Sequence, residues 1–281
     1  MDLLMTNHAQ ISLNTPLSSW MSAVDSNRAL SQMTIMGTHD SCAIHEIVGI
    51  GKCQTLRLTE QLKLGARYLD IRCYVKNGSF EMHHSIIDER QSFDDVMQEC
   101  LGFLSDNPSE TIFMRIKQEQ SSASDPEFMS IFNGKYGHYQ TSMLFVDTRI
   151  SPGRLGEARG KITVVSNVKP LPGIRWDDLK IQDDDEQDDH AKKWNLIETL
   201  LNDAASYHNN HEDQYYLNSF NAHDPIDLTS SIKDIAQYTK NKFMNYIEQA
   251  PVSPCYYGLL PVDFIDLYSE DDMKRILYYN N

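Results

Sequence analysis

The chain has 281 residues, a mass of 32.3 kDa and 41% hydrophobic residues, which is enough to build a substantial core and excludes a disordered or fibrous protein. Its formal net charge of −15 is spread along the chain. This charge excludes a nucleic-acid partner and disfavours electrostatic adsorption to anionic lipids, but it is compatible with insertion of a few apolar side chains into a membrane.

The sequence also carries indications about the cellular compartment. No apolar run approaches the roughly 20 residues that span a bilayer, and Met1–His8 lacks the basic and apolar regions of a secretory signal peptide. The five cysteines form no Cys-x-x-Cys pair, which disfavours both a disulfide framework and a structural zinc site. We therefore expect a reducing compartment such as the cytoplasm, or export by a route that uses no signal peptide.

Short β-type runs alternate along the chain with segments that have apolar residues at helical spacing. Strands are predicted at Met33–Met36, Arg67–Tyr74, Phe80–His83, Thr111–Ile116, Lys161–Ser166, Tyr215–Phe220 and Tyr257–Asp263. Helices are predicted at Leu56–Leu64, Phe93–Ser105, Pro126–Asn133, Ala191–Ser206 and Ile232–Ala250. Because most strands are apolar throughout, the pattern predicts an α/β barrel or a doubly wound parallel sheet. No flexible linker divides the chain, so we expect one domain over residues 1–281.

The most biased segment is Asp183–Asp189, which has six acidic residues in seven positions. A calcium-binding EF-hand loop would need a glycine at its sixth position and a glutamate at its twelfth, and both are missing here. The segment is therefore better interpreted as a solvated loop that leads into a helix N-terminus, where acidic residues suit the helix dipole.

Polar and ionisable residues stand at the ends of several predicted strands. They are His39 and Asp40 after the first strand, Asp70 and Arg72 in the second, His83 and His84 at the end of the third, Lys117 after the fourth, and Asp263 in the last. Taken singly, each is more often structural than catalytic. In a parallel barrel, however, the carboxyl ends of the strands converge on one face, so these residues are expected to meet in one pocket.

The expected pocket contains two histidines, carboxylates to orient them, and an arginine and a lysine for anionic charge. Such a set suits acid–base attack at a phosphodiester, in which one imidazole removes a proton and the other protonates the leaving oxygen. A binuclear metal hydrolase would instead need several neighbouring ligands, and Arg72 beside Asp70 would repel a cation.

Five segments of the sequence resemble successive motifs of the bacterial phosphatidylinositol-specific phospholipases C, which have the X-domain fold. The segments are Met36–Ser41 (MGTHDS), Leu64–Arg72 (LGARYLDIR), Met82–His84 (MHH), Asn107–Lys117 (NPSETIFMRIK) and Ala158–Ile162 (ARGKI). Their order and approximate spacing hold over about residues 18–265. The resemblance implies a distorted, incompletely closed TIM-type (β/α) barrel that converts a phosphoinositide to diacylglycerol and a cyclic inositol phosphate, without a metal ion or cofactor.

The same resemblance implies a role for each matching residue. His39 matches the general base, supported by Asp263, and His84 matches the general acid, paired with Asp40. The remaining matches are Arg72 on the phosphate, Asp70 as the residue that orients Arg72, and Lys117 and Asp183 on inositol hydroxyls. His83 is expected to be structural.

Two positions depart from the family pattern. Asn167 stands where the bacterial enzymes carry an inositol-contacting arginine, and Asp185 stands where an aromatic residue stacks on the ring. We keep Asn167 as a candidate substrate-binding residue. Without these contacts phosphodiester chemistry is better supported than the particular headgroup, and polyphosphorylated inositides are disfavoured because added phosphates would lack a counter-charge.

A transient contact with a phospholipid membrane is expected through the apolar segment Ile47–Ile50, which follows the His39 strand end. Two other functions stay open. One is a metal-dependent, glycerophosphodiester phosphodiesterase-like barrel, and the other is a catalytically inactive barrel that binds lipid or protein.

Overall fold

The computed structural model describes residues 14–46, 51–85, 87–187, 189–208, 211–223, 232–250 and 255–281. Its strands are β1 (Thr34–Thr38), β2 (Tyr68–Lys76), β3 (Ser79–His84), β4 (Ile87–Ser92), β5 (Ile112–Gln118), β6 (Met143–Leu144), β7 (Ile162–Ser166), β8 (Ile174–Arg175), β9 (Lys180–Gln182), β10 (Tyr216–Asn218) and β11 (Gly258–Val262). Its α-helices are α1 (Leu58–Lys63), α2 (Phe93–Asp106), α3 (Asp125–Lys135), α4 (Leu155–Ala158), α5 (His190–His208), α6 (Ile232–Gln249) and α7 (Glu270–Leu277).

One curled sheet organises the molecule. Its strand order is β6-β7-β5-β2-β1-β11-β10-β9, and neighbours in this order run parallel. Strand β8 adds to β7, and in the described part of the chain no pairing joins it to β9, so the barrel stays open between them. The expected α/β, incompletely closed TIM-type barrel is confirmed.

The strands of the sheet are buried because apolar side chains cover both faces, as is usual for parallel sheets. Every residue of β1, β7 and β11 is buried. One apolar cluster joins the 3-10 helix Leu17–Ala23 to β1, β11 and α7, and a second packs β2 and β5 against α2 and α3. Among the helices that the structure describes, none has the length and apolarity needed to cross a membrane.

The seven predicted strands and five predicted helices are all present, with ends that differ by a few residues. The predicted strand Phe80–His83 corresponds to β3, which is not one of the parallel strands of the barrel. It pairs antiparallel with both β2 and β4. Strand β2 is nine residues long and continues beyond its parallel neighbours, and the β3–β4 hairpin folds back along this extension.

A glycine fixes the approach of β1 to β2 next to the polar strand ends. A Cβ atom at Gly37 would lie 2.4 Å from both Cβ and O of Tyr68, so only glycine fits at this contact. Gly37 pairs with Tyr68 and Thr38 with Leu69, and this register sets where His39 emerges from the sheet.

Candidate active site

The first pair of polar side chains lies where the adjacent strands β1 and β11 end. Thr38 and Val262 are register partners, so the residues that follow them, His39 and Asp263, come side by side. His39 Nδ1 lies 2.8 Å from Asp263 Oδ1, and the His39 amide donates to the Val262 carbonyl oxygen. Both residues are buried, with His39 9% exposed.

The second pair joins His84 to Asp40, and its route differs from the expected one. The sequence predicts His84 at the end of a parallel strand, but His84 lies on antiparallel β3, which returns along the extension of β2 towards the barrel mouth. Its Nδ1 hydrogen-bonds Asp40 Oδ2. Asp40 has a φ of 39°, a left-handed conformation that aspartate tolerates better than most residues, and it turns the chain just after β1.

Arg72 on β2 lies between the two pairs. Its Nη2 is 2.7 Å from His39 Nε2, and its Nη1 is 3.3 Å from Asp40 Oδ2. Its Nε lies 3.2 Å from Asp70 Oδ2, so Asp70 orients the guanidinium from the same strand. The structure thus joins six of the predicted site residues in one continuous network.

Arg72 determines the hydrogen positions on His39. A guanidinium nitrogen only donates, so His39 Nε2 must accept and is unprotonated. The ring proton then lies on Nδ1 and is donated to Asp263. His39 is therefore held as a neutral imidazole, which is the form required of a base.

The charges around the second pair favour the opposite state. Burial alone would raise the pKa of Asp40, but Arg72 and the hydrogen bond from His84 outweigh it and lower that pKa, so the carboxylate is ionised. Burial would lower the pKa of His84, yet the hydrogen bond with Asp40 and the negative charge of Asp40 together outweigh it and raise that pKa. His84 is thus biased towards the protonated form, which is the form required of an acid.

Asp70 and Arg72 stabilise each other's charge. Burial opposes ionisation of Asp70, but Arg115 and Arg72 outweigh it and hold the pKa of this carboxyl well below its ordinary value. Burial likewise opposes the charge on Arg72, and Asp40 and Asp70 outweigh it and raise the pKa of the guanidinium. The positive charge beside His39 is therefore permanent.

The predicted binding residues lie around this network at different distances. Lys117 is the register partner of Arg72 on β5, and its Nζ lies 3.2 Å from Glu119 Oε2. Asn167 follows β7, and its Oδ1 accepts a hydrogen bond of 2.7 Å from Arg115 Nε. Asp183 is exposed just beyond β9 and, within the described residues, makes no hydrogen bond to the network.

Two further residues of the site were not identified from the sequence. Gln54 Nε2 donates to the carbonyl oxygens of His39 and Val262, both at 2.9 Å, and its Oε1 accepts from the Ile265 amide. It lies in a loop, where no periodic pattern could have indicated its role. Arg115 could have been identified from the sequence, because it lies two residues before Lys117 on β5 and its side chain therefore lies on the same face of the strand.

The Cys53 thiol lies between the two histidine–aspartate pairs. Its sulfur is grouped within 4.8 Å with ligand atoms of His39 and Asp263, and likewise with those of Asp40 and His84. These atoms are of types that bind zinc. Burial raises the pKa of the Cys53 thiol far above its ordinary value, and the Arg72 guanidinium repels a cation, so this centre suits an anion better than a metal ion.

The acidic segment after β9 is engaged in local contacts. Both carboxylate oxygens of Asp184 accept from Gln187 Nε2, and the Asp184 carbonyl accepts from Lys193 Nζ. Asp189 Oδ1 accepts from the amides of Ala191 and Lys192 in the first turn of α5. These contacts agree with the predicted solvated loop and helix N-terminus.

The chain is similar in sequence to known proteins. The chain matches the family "Phosphatidylinositol-specific phospholipase C, X domain" over residues 26–167. It is 32% identical over 163 residues to the 1-phosphatidylinositol phosphodiesterase of Listeria monocytogenes, a match that covers 54% of this chain and 50% of that relative. It is 27% identical over 243 residues to the protein of the same name from Staphylococcus aureus, which covers 75% of this chain and 77% of the relative.

Two solved structures share the fold. The S. aureus phosphatidylinositol-specific phospholipase C superimposes with a TM-score of 0.82 at 23% identity, over 96% of this chain and 99% of that one. The L. monocytogenes phosphatidylinositol-specific phospholipase C superimposes with a TM-score of 0.78 at 25% identity, over 95% of this chain and 99% of the other.

Proposed function

Because the chain belongs to the phosphatidylinositol-specific phospholipase C X-domain family, we propose that it is a lyase that cleaves phosphatidylinositol to diacylglycerol and a cyclic inositol phosphate. The observation that carries the proposal is the contrast between the two imidazoles beside Arg72. His39 Nε2 is an acceptor, whereas the hydrogen bond to Asp40 raises the pKa of His84. A neutral base and a protonated acid are the two groups that this transesterification requires.

The reaction begins at His39. Its Nε2 removes the proton of the inositol hydroxyl next to the phosphate, and that hydroxyl oxygen forms a new bond to phosphorus. Asp263, 2.8 Å from Nδ1, stabilises the positive imidazole that results. For this step the phosphoryl oxygens replace His39 as acceptors of the Arg72 N–H groups.

The reaction ends at His84. As the phosphorus–oxygen bond to glycerol breaks, His84 donates its proton to the leaving oxygen and diacylglycerol departs. Arg72 stabilises the negative charge that builds up on the phosphoryl oxygens, and it needs no metal ion to do so. Because nucleophile and phosphate belong to the same headgroup, the first product is a cyclic phosphodiester.

The lipid substrate also requires contact with a membrane. The S. aureus relative is described as binding membranes, and a chain of net charge −15 would do so through apolar side chains rather than basic ones. The predicted contact segment, residues 47–50, lies outside the described residues. We expect transient contact at the open end of the barrel, with Lys117 and Asp183 near the inositol hydroxyls.

A lipid panel followed by phosphorus NMR tests the proposal. We expect phosphatidylinositol to be cleaved and a cyclic inositol phosphate to be the earliest phosphorus product. A non-cyclic phosphate as the earliest product would refute the mechanism, and binding of vesicles without turnover would favour an inactive lipid-binding barrel.

Three histidine variants test the assigned roles. His39→Ala and His84→Ala should each lower kcat by roughly 10²- to 10⁴-fold, the usual contribution of a general acid or base. The matched control is His83→Ala, since His83 is turned away and stacks on Tyr74 with ring centroids 4.5 Å apart. A His84→Ala enzyme with normal turnover would remove His84 from the mechanism.

A further inference from the structure

Arg115 lies two residues before Lys117 on β5, so the two side chains share one face of the strand. Arg115 is 7% exposed and is the register partner of Asp70, just as Lys117 is the partner of Arg72. Arg115 therefore lies one layer below the residues that surround the reacting phosphate.

Three groups from different elements hold the Arg115 guanidinium in place. Its Nε donates to Asn167 Oδ1 at 2.7 Å, and its Nη1 lies 3.3 Å from Asp70 Oδ1. Its central carbon lies 3.6 Å from the ring centroid of Trp176, which covers one face of the planar group. Asp70 on β2, Asn167 after β7 and the ring of Trp176 together fix the orientation of the guanidinium.

These contacts leave donors free. A guanidinium carries five N–H donors, and these contacts use Nε and one hydrogen of Nη1. Within the described residues Nη2 makes no hydrogen bond, and it is not sealed from solvent. A rigid, nearly buried cation with unused donors that are not sealed from solvent is the arrangement expected of a ligand-binding group.

We infer that Arg115 binds the ring hydroxyls of the substrate headgroup, and that Asn167 and Trp176 position it for this contact. The inference rests on the proposed function, and it assigns Asn167 a positioning role. The Asp70 carboxylate, which Arg115 shares with Arg72, lies against this guanidinium, and its negative charge makes neutral hydroxyl oxygens better partners here than an additional phosphate. The preferred substrate is then a lipid whose inositol ring carries no further phosphate.

Binding of free myo-inositol tests the inference directly, because it needs no chemical step. We expect Arg115→Met to weaken calorimetric myo-inositol binding by about 10- to 100-fold and to raise KM for phosphatidylinositol, as loss of hydrogen bonds from a charged donor does. The matched control is Arg149→Met, which removes an exposed arginine that pairs with Asp147 and lies outside the site.

A purely structural role would give a different result. If Arg115 only braced Asp70, its loss would disturb Arg72 and lower kcat while myo-inositol binding stayed unchanged, and that outcome would overturn the inference. Arg115→Lys guards against misfolding, since lysine keeps the charge next to Asp70 but lacks the planar fork. It too should bind myo-inositol at least about 10-fold more weakly, and equal binding would refute the role.

The proposed function and the inference can fail separately. A wild-type protein that binds myo-inositol through Arg115 but cleaves no lipid would refute the lyase and keep the binding role. A wild-type protein that cleaves phosphatidylinositol and binds myo-inositol as well as Arg115→Met does would refute the binding role alone. Absence of any myo-inositol binding by the wild type would overturn the inference as well.

Discussion

At the scale of single residues, the assignment of acid and base depends on what each imidazole contacts. Both rings direct Nδ1 at a buried carboxylate, so the carboxylates alone do not distinguish them. The difference is Arg72, which donates to His39 Nε2 at 2.7 Å. Arg72 thus holds His39 as a hydrogen-bond acceptor, whereas Asp40 favours the protonated form of His84.

The pH dependence of turnover should follow from the pair of His84 and Asp40. The hydrogen bond with Asp40 raises the pKa of His84, so a proton is available for the leaving group to higher pH than an isolated imidazole allows. Asp40→Asn removes this effect and should move the alkaline limb of the kcat–pH profile to lower pH.

The control for this shift is Asp88→Asn, an exposed carboxylate on the β3–β4 hairpin. It should leave the profile of the wild type unchanged. An alkaline limb in Asp40→Asn that coincides with the wild-type limb would show that His84 is not the group whose deprotonation ends turnover.

Activity should be independent of metal ions, since Arg72 supplies the positive charge at the position where a cation would act. Its guanidinium is held in place by the carboxylates of Asp40 and Asp70. We expect full turnover of phosphatidylinositol in excess EDTA. Loss of activity on chelation, with recovery on addition of calcium, would contradict this role and favour the metal-dependent phosphodiesterase.

At the scale of elements, the catalytic geometry depends on how β1 and β11 are held together beyond their last register pair. Gln54 spans the gap, with hydrogen bonds to the backbone of His39, Val262 and Ile265. Gln54→Leu would leave the His39 carbonyl and the Ile265 amide without the partners they have in Gln54, at a cost on the order of 1–3 kcal/mol.

Thermal denaturation and steady-state kinetics should therefore both change in Gln54→Leu. The midpoint should fall, and kcat should fall with it because His39 and Asp263 lose their fixed separation. Gln237→Leu, an exposed substitution on α6, is the matched control. Normal kcat in a destabilised Gln54→Leu protein would show that Gln54 holds the fold but not the catalytic pair.

The elements also show what the sequence could and could not predict. Buried parallel strands such as β5 and β11 were found because their apolar runs are continuous. The β3–β4 hairpin was not, because Ile87–Ser92 (IDERQS) has no apolar run and owes its conformation to pairing with β3. The motif that contains His84 therefore predicted its place in the site. That His84 reaches the site on an antiparallel strand became clear only from the strand pairing.

Within the site, the predictable residues were those that stand at strand ends in recognisable motifs. His39, Asp70 and Arg72 are of this kind. Gln54 was not predictable, since nothing in a loop sequence indicates which backbone groups a glutamine will reach. The partner of Asn167 was not predictable either, because it depends on the register between β5 and β7 and on the side-chain reach of Arg115.

At the scale of the whole molecule, both ends of the described chain are tied to the central sheet. Near the N-terminus, the buried Arg67 pairs with Glu110 at 2.8 Å and donates to the carbonyl oxygens of Leu17 and Ser18. Near the C-terminus, the Asn280 side chain accepts from the Thr34 amide and donates to the Thr34 carbonyl. The sheet and its apolar clusters therefore join distant parts of the sequence.

Unfolding should accordingly occur as one cooperative transition, as the predicted single domain requires. Asn280→Ala breaks both hydrogen bonds to β1 and should lower the midpoint of the whole transition rather than release the C-terminal segment alone. Calorimetry with near- and far-UV circular dichroism measures this. Two separated transitions would contradict a single domain over residues 1–281.

In the proposed lyase, the contact between Arg72 and His39 also determines the state of the base between turnovers. While the guanidinium donates a hydrogen bond to the lone pair of His39 Nε2, this nitrogen cannot accept a proton from water. The base is therefore unavailable when no substrate is bound. A phosphate is a stronger acceptor for Arg72 than an imidazole, so the incoming substrate displaces the hydrogen bond between Arg72 and His39. His39 Nε2 is then free to act as a base only when the substrate is in place. Once the product leaves, Arg72 again donates to Nε2, so the base is uncovered only while a phosphate occupies the site.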